Sequence, residues 1–281
     1  MLGTCSGIPY IVIGEGGYPR IKTILMCYDI KASLEVQLKR AMRRGDRDAA
    51  DQIREHLVPR TDLPLYHASG FSHPRLLIYT DASPEYPSVA TWGLVPHWVR
   101  DREQGQKLWN KTLNARGETI FEKPSFRRAA KSNRCLIYVD GFYEHHHYKG
   151  KTYPFLIYRR DGNSMIFAGL YNDWTDTGTG EILTTFTIVT TVGNPMMARI
   201  HNNPKLQGPR MPLILPEEFA DRWLAPIEDE LDEKALRELI HSFPAEALKA
   251  HTVGKLRGKN YGGNVPEISQ EVIYPELGSP V

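Results

Sequence analysis

The sequence predicts an α+β fold, a single domain with a mainly antiparallel, curled β-sheet core flanked by helices. Short runs of β-branched and aromatic residues, bounded by turn residues, recur between residues 75 and 215. Helical periodicity lies on either side of that region, near residues 33–57 and 217–241. No internal repeat or linker divides the 281 residues, which are enough for one large domain.

The predicted elements begin with "TILMCYDIKASLE" (23–35), which indicates a strand leading into a helix that Ser33 caps. A second helix is expected over about 46–57, before Pro59. Hairpin connections are expected at "KGK" (149–151) and "RDGNS" (160–164). The predicted strands are 75–80, 88–96, 134–144, 153–160, 164–171, 184–191 and 211–215, and the later helices are 217–224 and 232–241.

Composition limits the class of protein. The formal net charge of +2 gives no bulk preference for a polyanion, so such a partner would need a local basic cluster. Three cysteines without a C-x-x-C motif indicate reduced thiols rather than a disulfide framework or a zinc ribbon. The N-terminus is a poor signal peptide, and no apolar run is long enough to span a membrane. We therefore expect a cytoplasmic protein without a membrane partner.

One strongly basic segment is "KLWNKTLNARGETIFEKPSFRRAAKSNRC" (107–135). Between residues 111 and 134, seven basic and two acidic residues give a net charge of +5. Trp109, Phe121 and Phe126 are interleaved, a pattern that suits a phosphate backbone with stacked bases. On charge alone, a solvated loop explains the segment slightly better.

A candidate acid lies in "VDGFYEHHHYKG" (139–150). An Asp-Gly pair interrupts the strand and places Glu144 beyond two aromatic residues, where partial desolvation would suit a general acid. The alternative is a surface glutamate at a strand end. His145 and His147 would share a strand face, but no matching Cys or His pair completes a tetrahedral site. We therefore expect neither a metal nor another cofactor.

The third segment is "VTTVGNPMMARIHNNPKLQGPRMPLIL" (189–215), in which His201 and Arg210 flank a predicted strand. A single loop histidine is usually structural or solvated. An arginine at a strand start suits a phosphate group. Taken alone, this segment is a weak signal.

Five motifs follow one another along the chain, namely "WGLVPHW", "LNARGET", "CLIYVDGFYE", "TIVTTVGNPMMARIH" and "RMPLIL". In this order they resemble the SOS response-associated peptidase (SRAP) family, the abasic-site processing proteins. The resemblance runs from Met26 to about residue 265 and implies an SRAP domain over 26–281. It implies a monomer that acts in DNA repair and the SOS response, with abasic single-stranded DNA as partner, and that associates with the nucleoid when bound.

In that family the mature chain begins with a cysteine that is exposed when the initiator Met is removed, and Met26-Cys27 matches this start. The resemblance implies that Cys27 forms a thiazolidine crosslink with the ring-opened abasic sugar. The crosslink would protect the site during repair, and AP lyase activity at the same Schiff base is also expected. The α-amine of such a cysteine titrates near about 8, so it is competent near neutral pH.

The resemblance also implies roles for other residues. Asn114 would orient the cysteine amine or the sugar, and Glu144 would act as acid/base while the sugar ring is open. His201 would help to open the sugar and to form or reverse the Schiff base. The residues expected to bind DNA are Arg116, Arg210, Trp92, Arg127 and Arg128.

Residues 1–25 depart from the family pattern. A thiazolidine cannot form while the Cys27 nitrogen is in a peptide bond. Either translation starts at Met26 or the extension is removed, and a misassigned start is the simpler explanation.

Two further departures concern charge and loop length. Asp29 stands where the family usually has an arginine, so phosphate contact near Cys27 is expected to be weaker or to come from Arg116. Residues 202–209 form a longer connection between His201 and the next motif than the family usually has.

Two other functions remain open. Cys27, His201 and Glu144 could perform acyl transfer in a cysteine-type peptidase, whose first substrate would be its own N-terminal extension. A non-catalytic single-stranded DNA-binding protein would use the basic segment without any need for Cys27.

Overall fold

The computed structural model describes residues 28–43, 47–205 and 207–278, so Cys27 and the predicted extension 1–25 lie outside the described residues. The strands are β1 (Asp29–Ala32), β2 (Leu65–Ser69), β3 (Arg75–Thr80), β4 (Ser88–Trp92), β5 (Asn114–Arg116), β6 (Arg134–Val139), β7 (Gly141–Tyr148), β8 (Lys151–Arg159), β9 (Met165–Thr175), β10 (Ile182–Val192), β11 (Arg210–Pro212), β12 (Ile214–Leu215) and β13 (Leu248–Thr252). The helices are α1 (Leu34–Met42), α2 (Arg47–His56), α3 (Arg102–Trp109), α4 (Arg127–Ser132), α5 (Pro195–Ile200), α6 (Glu217–Leu224) and α7 (Glu230–Glu238).

The larger sheet has eight strands and curls into a closed ring. The order β10-β4-β3-β6-β9 returns to its start because β9 also pairs with β10. Among the described pairings, those of β10 with β4 and β5 are parallel and the others are antiparallel. The predicted α+β fold with a mainly antiparallel, curled sheet is therefore confirmed.

The smaller sheet has five strands in the order β13-β8-β7-β1-β2. The chain passes from the ring into this sheet at Asp140-Gly141, between β6 and β7. A Cβ atom at Gly141 would lie 2.4 Å from the carbonyl oxygen of Ile157, so only glycine permits this close approach. Apolar side chains such as Ile30, Phe142 and Phe167 fill the core between the two sheets.

Asp140 also fixes the turn from β1 into α1. Its carboxylate accepts hydrogen bonds from the backbone N–H of Ser33 at 2.5 Å and from the Ser33 hydroxyl at 3.0 Å. The Ser33 hydroxyl oxygen in turn accepts from the N–H of Val36, the N-terminal cap that the sequence predicts. One carboxylate thus ties the strand–helix junction to the link between the sheets.

A buried arginine joins two helices to β6. Arg134 is 1% exposed and donates to the carbonyl oxygens of Ala130 and Lys131 in α4 at 2.8 Å. It also donates to Trp223 at 2.8 Å and to Ala225 at 2.5 Å, at the end of α6. The last carbonyls of a helix lack intrahelical partners and lie at its negative end, so a guanidinium satisfies both requirements.

The C-terminal segment covers the outer face of the smaller sheet. Val253, Leu256 and Ile268 pack there against Tyr143 of β7 and Leu156 of β8. No helix in the described ranges is long and apolar enough to cross a bilayer.

The hairpin predicted at "KGK" is confirmed, since Lys149 and Gly150 have φ of 45° and 75° and join paired strands. The hairpin predicted at "RDGNS" is wrong, because β8 and β9 belong to different sheets. The run at 88–96 ends as a strand at Trp92, where Gly93 has φ of 120°. The sequence patterns did not predict β2, β5, β13, α3, α4 or α5, which are short or partly exposed.

Replacing Arg134 with Met should lower the free energy of unfolding by about 3 kcal/mol or more, because four buried carbonyl groups lose a charged donor. Urea denaturation followed by circular dichroism measures the change. Arg222→Met on α6 is the matched control, since the Arg222 side chain is 44% exposed and makes one surface ion pair at 3.8 Å. Equal losses in the two variants would contradict the assigned role of Arg134.

Candidate active site

The start of β1 is enclosed by strands on both sides. Asp29 lies opposite Tyr143 of β7 and opposite Ser69 of β2. Tyr28, the first described residue, accepts a hydrogen bond at its carbonyl oxygen from the N–H of Gly70 at 2.6 Å. Continuing the antiparallel register by one residue places Tyr28 across from Glu144. The residue that follows the predicted nucleophile therefore has the predicted acid as its neighbour.

Glu144 and His201, which the sequence singled out separately, are brought together. Glu144 is 7% exposed on β7, and its Oε2 lies 3.6 Å from Nδ1 of His201. His201 is 3% exposed and directly follows α5, a short helix that begins with a proline and is capped by Asn194. The two buried side chains form an acid–base pair where β7, the middle strand of the smaller sheet, meets the end of α5.

The surroundings of His201 indicate which ring nitrogen carries the proton. Its Nδ1 lies 3.1 Å from the carbonyl oxygen of Arg210, and the Glu144 carboxylate is a second acceptor on the same side. The backbone N–H of Arg210 is farther away, at 3.3 Å. We assign the proton to Nδ1 because two acceptors face it. In this tautomer Nε2 is the ring nitrogen without a hydrogen.

Asn114 and Trp92 meet through the backbone. Asn114 is buried on β5, where it pairs with Ile188 of β10. The indole N–H of Trp92 donates to the carbonyl oxygen of Leu113, the residue before Asn114, at 2.8 Å. Trp92 itself is 0% exposed and stacks near Phe186, so the expectation that it faces DNA is wrong. Its role is to hold the strand that carries Asn114 from inside the core.

The two arginines expected to clamp phosphate differ in their surroundings. Arg210 donates to both carboxylate oxygens of Glu118 at 2.7 and 2.8 Å and to the carbonyl oxygen of Thr190 at 2.9 Å. Burial raises the pKa of Glu118, but the hydrogen bond from Arg210, a backbone hydrogen bond and the charges of Arg210 and Arg116 together lower it below its ordinary value. The structure thus gives Arg210 a bracing role instead of an open clamp. Arg116, on β5, is partly exposed.

Only some side chains of the basic segment (107–135) are exposed at the protein surface. Arg127 and Arg128 are exposed at the start of α4. Burial lowers the pKa of His97, and the charges of Arg128 and Arg127 lower it further, so these arginines lie near the loop after β4. Arg134 is buried, and Phe121 is buried beneath the guanidinium of Arg237 at 4.5 Å. The predicted stacking role of Phe121 is therefore wrong.

The histidines after Glu144 have structural contacts. Burial lowers the pKa of His145. His146 contacts the carbonyl oxygen of Arg199 at the end of α5 through Nδ1 at 2.9 Å. The backbone of His147 exchanges two hydrogen bonds with the Asn202 side chain, which ties the longer connection after His201 to β7. The described residues contain no group of three or more His, Cys, Asp or Glu that could hold a metal ion.

Asp29 belongs to a buried charge cluster that the sequence did not indicate. The Asp29 side chain is 3% exposed and accepts a hydrogen bond from the guanidinium of Arg257, in the C-terminal segment, at 2.7 Å. It also lies 3.5 Å from Nε2 of His67, whose Nδ1 contacts the hydroxyl of Tyr261 at 2.8 Å. Burial raises the pKa of Asp29, but His67 and the charge of Arg257 together lower it below its ordinary value. The side chain of Arg257 is 40% exposed, so a guanidinium lies at the surface beside the start of β1.

The fold and the site define a class of protein: a closed sheet with a second sheet beside it, and a buried carboxylate–imidazole pair formed by β7 and the residue after α5. Residues 26–259 match the family model described as SOS response associated peptidase (SRAP). The chain belongs to this family.

Known relatives agree with this assignment. The chain is 38% identical over 182 residues to the abasic site processing protein YoqW of Bacillus subtilis, covering 64% of this chain and 75% of YoqW. It is 28% identical over 285 residues to the abasic site processing protein HMCES of Gallus gallus, covering 91% of this chain and 80% of HMCES. A crystal structure of a protein from Bacteroides thetaiotaomicron superimposes with a TM-score of 0.73 at 33% identity, covering 88% of this chain and all of that one.

The Asp29 cluster predicts a pH-dependent contribution to stability. Because the folded-state pKa of Asp29 is lowered, its stabilisation is present above the unfolded pKa of about 3.9 and is lost as pH falls through the folded value. Asp29→Asn should therefore be clearly less stable than the wild type at pH 7, and the difference should shrink below about pH 4. Urea titrations at pH 7, 5 and 3.5 measure it. A difference independent of pH would show that Asp29 is not ionised in the folded protein.

Proposed function

We propose that this chain captures abasic sites in single-stranded DNA as a covalent thiazolidine at Cys27, within a domain that spans residues 26–281. The observation that carries the proposal is the Glu144–His201 pair, because the β1–β7 register, continued by one residue, aligns Glu144 with Tyr28, which follows Cys27. Cys27 directly precedes Tyr28 in the chain, and consecutive Cα atoms are about 3.8 Å apart. Family membership and relatives named as abasic site processing proteins support the same function.

The chemistry requires a free α-amine on Cys27. That amine adds to the C1′ aldehyde of the ring-opened sugar, and loss of one water gives a Schiff base. The Cys27 thiol then adds to the same carbon and its proton moves to the nitrogen, which closes a five-membered ring. The amine is reactive near neutral pH because α-amino groups titrate at about 8. Residues 1–26 must therefore be absent from the active form, through a start at Met26 followed by removal of that Met or through cleavage of the longer chain before Cys27.

The site residues divide this work. Glu144 is the acid/base that protonates the sugar oxygen as the ring opens. His201, with its Nδ1 proton directed at Glu144 and the Arg210 carbonyl, uses Nε2 to move protons during formation and reversal of the Schiff base. Asn114 orients the amine or the sugar. The same Schiff base also permits β-elimination of the 3′ phosphate, which is the proposed AP lyase activity.

Phosphate contacts fall to the exposed basic residues. Arg116 of β5 is partly exposed and Arg127 and Arg128 of α4 are exposed, whereas Arg210 is paired with Glu118. Single strands are the favoured substrate because an unpaired abasic sugar exposes its aldehyde at no cost in base pairing. Such contacts predict sequence-independent binding that weakens with salt.

A second candidate function is cysteine peptidase activity at the same residues. The family description includes that activity, and Cys27, His201 and Glu144 supply a nucleophile, a base and a residue that orients the base. Release of residues 1–25 by purified full-length chain would support it.

The principal experiment takes the intact mass of the chain expressed from its own upstream region, then adds single-stranded DNA bearing one abasic site before a denaturing gel. We expect a mass that matches a Cys27 start and a shifted band that Cys27→Ala abolishes. Cys135→Ala is the matched control, because that thiol is buried and its burial raises its pKa. A full-length mass without a stable band would contradict the proposal.

Glu144→Gln should slow formation of the crosslink at neutral pH by about 10²-fold or more, since a positioned acid contributes about that much. Binding to a strand that carries tetrahydrofuran, an abasic analogue without an aldehyde, should stay nearly unchanged. Single-turnover gel kinetics and fluorescence anisotropy measure the two quantities. The control is Glu55→Gln on α2, where the side chain is 77% exposed. An unchanged rate in Glu144→Gln would remove this residue from the acid/base role.

A further inference from the structure

An exposed aromatic residue, Phe71, lies beside Tyr28 at the start of β1, on the side away from the Glu144–His201 pair. Tyr28 has Glu144 of β7 on one side and the turn after β2 on the other. Phe71 occupies this turn, is 40% exposed, and contacts the Tyr28 ring with centroids 4.7 Å apart. Neither the sequence motifs nor the proposed chemistry uses Phe71.

The turn that carries Phe71 is held firmly by its neighbours. The N–H of Gly70 donates to Tyr28, and a Cβ atom at Gly70 would lie 3.2 Å from the buried ring of Trp92. His73, at the end of the turn, contacts the carbonyl oxygen of Trp92 through Nδ1 at 2.7 Å and stacks on Trp109 with centroids 4.3 Å apart. The turn is therefore fixed at both ends, and the Phe71 ring contacts Tyr28 while 40% of the residue stays exposed.

We propose that Phe71 is a stacking platform for the base next to the abasic site and that it gives the protein a preference for a purine there. This inference rests on the proposed function. An abasic nucleotide has no base of its own, so the nearest π-faces of the strand belong to its neighbours. With Glu144 and His201 on the β7 side of the sugar, the strand leaves past Phe71, where a neighbouring base meets the open ring. Stacking on an aromatic side chain tolerates every base and favours those that stack strongly.

The test uses the full chain and single-stranded DNA with one tetrahydrofuran site, flanked in turn on each side by the fluorescent base 2-aminopurine. Phe71→Ala should raise the Kd about tenfold and relieve the quenching of 2-aminopurine at one flank, because a stacked base is lost. Phe71→Trp should restore both. Tyr86→Ala is the matched control, since Tyr86 is 38% exposed and lies at the far end of the β3–β4 hairpin.

A second comparison separates stacking from a structural role. Replacing the flanking base with a second tetrahydrofuran should weaken binding of the wild type to the level of Phe71→Ala, and should weaken Phe71→Ala little further. A wild-type Kd and quenching in Phe71→Ala would overturn the proposal. So would an equal loss of affinity for strands with and without the flanking base, which is the result of damage to the turn.

The experiments distinguish a failure of the Phe71 proposal from a failure of the proposed crosslinking function. If the wild type binds the tetrahydrofuran strand with Phe71-dependent quenching but forms no crosslink with an authentic abasic site, the platform stands and the crosslinking function fails. If the crosslink forms and Phe71→Ala changes neither Kd nor quenching, the function stands and the platform fails. Absence of binding to either strand overturns both.

Discussion

The central constraint in this structure is the insertion of β1 between β7 and β2. This strand has four residues, yet it forms backbone pairs on both sides and its apolar residues enter the core between the two sheets. Asp140 holds its C-terminal end through Ser33, and the Gly70 N–H holds its N-terminal end through Tyr28. Tyr28 is thereby held at the start of β1, where the register with β7 continues toward Glu144.

Several arginines of this chain form hydrogen bonds or ion pairs that stabilise the fold. Arg134 satisfies the ends of two helices, Arg210 braces β11 against Glu118, and Arg40 is buried against Asp221. Asp29 forms an ion pair with Arg257, so a guanidinium group lies at the start of β1 although the first residue of this strand is acidic. Fewer positive charges are therefore available at the surface than the number of basic residues in the sequence indicates.

Several parts of the fold and the site could be predicted from local patterns. Ser33 as a helix cap, the Asp-Gly break before β7 and the Lys-Gly hairpin each depend on residues that are neighbours in the chain. Glu144 and His201 were singled out from separate motifs, and only the structure shows that they meet where β7 contacts the end of α5. The predictions that Trp92 and Phe121 contact DNA were wrong because the sequence does not distinguish an aromatic residue that stacks on a base from one that is buried in the core.

The sequence by itself determined the class of fold, the order of most strands and helices, and the family, because these follow from periodicity, turn residues and ordered motifs. Only the tertiary structure decided which side chains meet. The closing of the ring, the pairing of Asp29 with Arg257 and the exposure of Phe71 beside Tyr28 join residues far apart in the chain. The physical reason is that burial and charge pairing are properties of the packed chain, and no local pattern specifies which distant segment will cover a given residue.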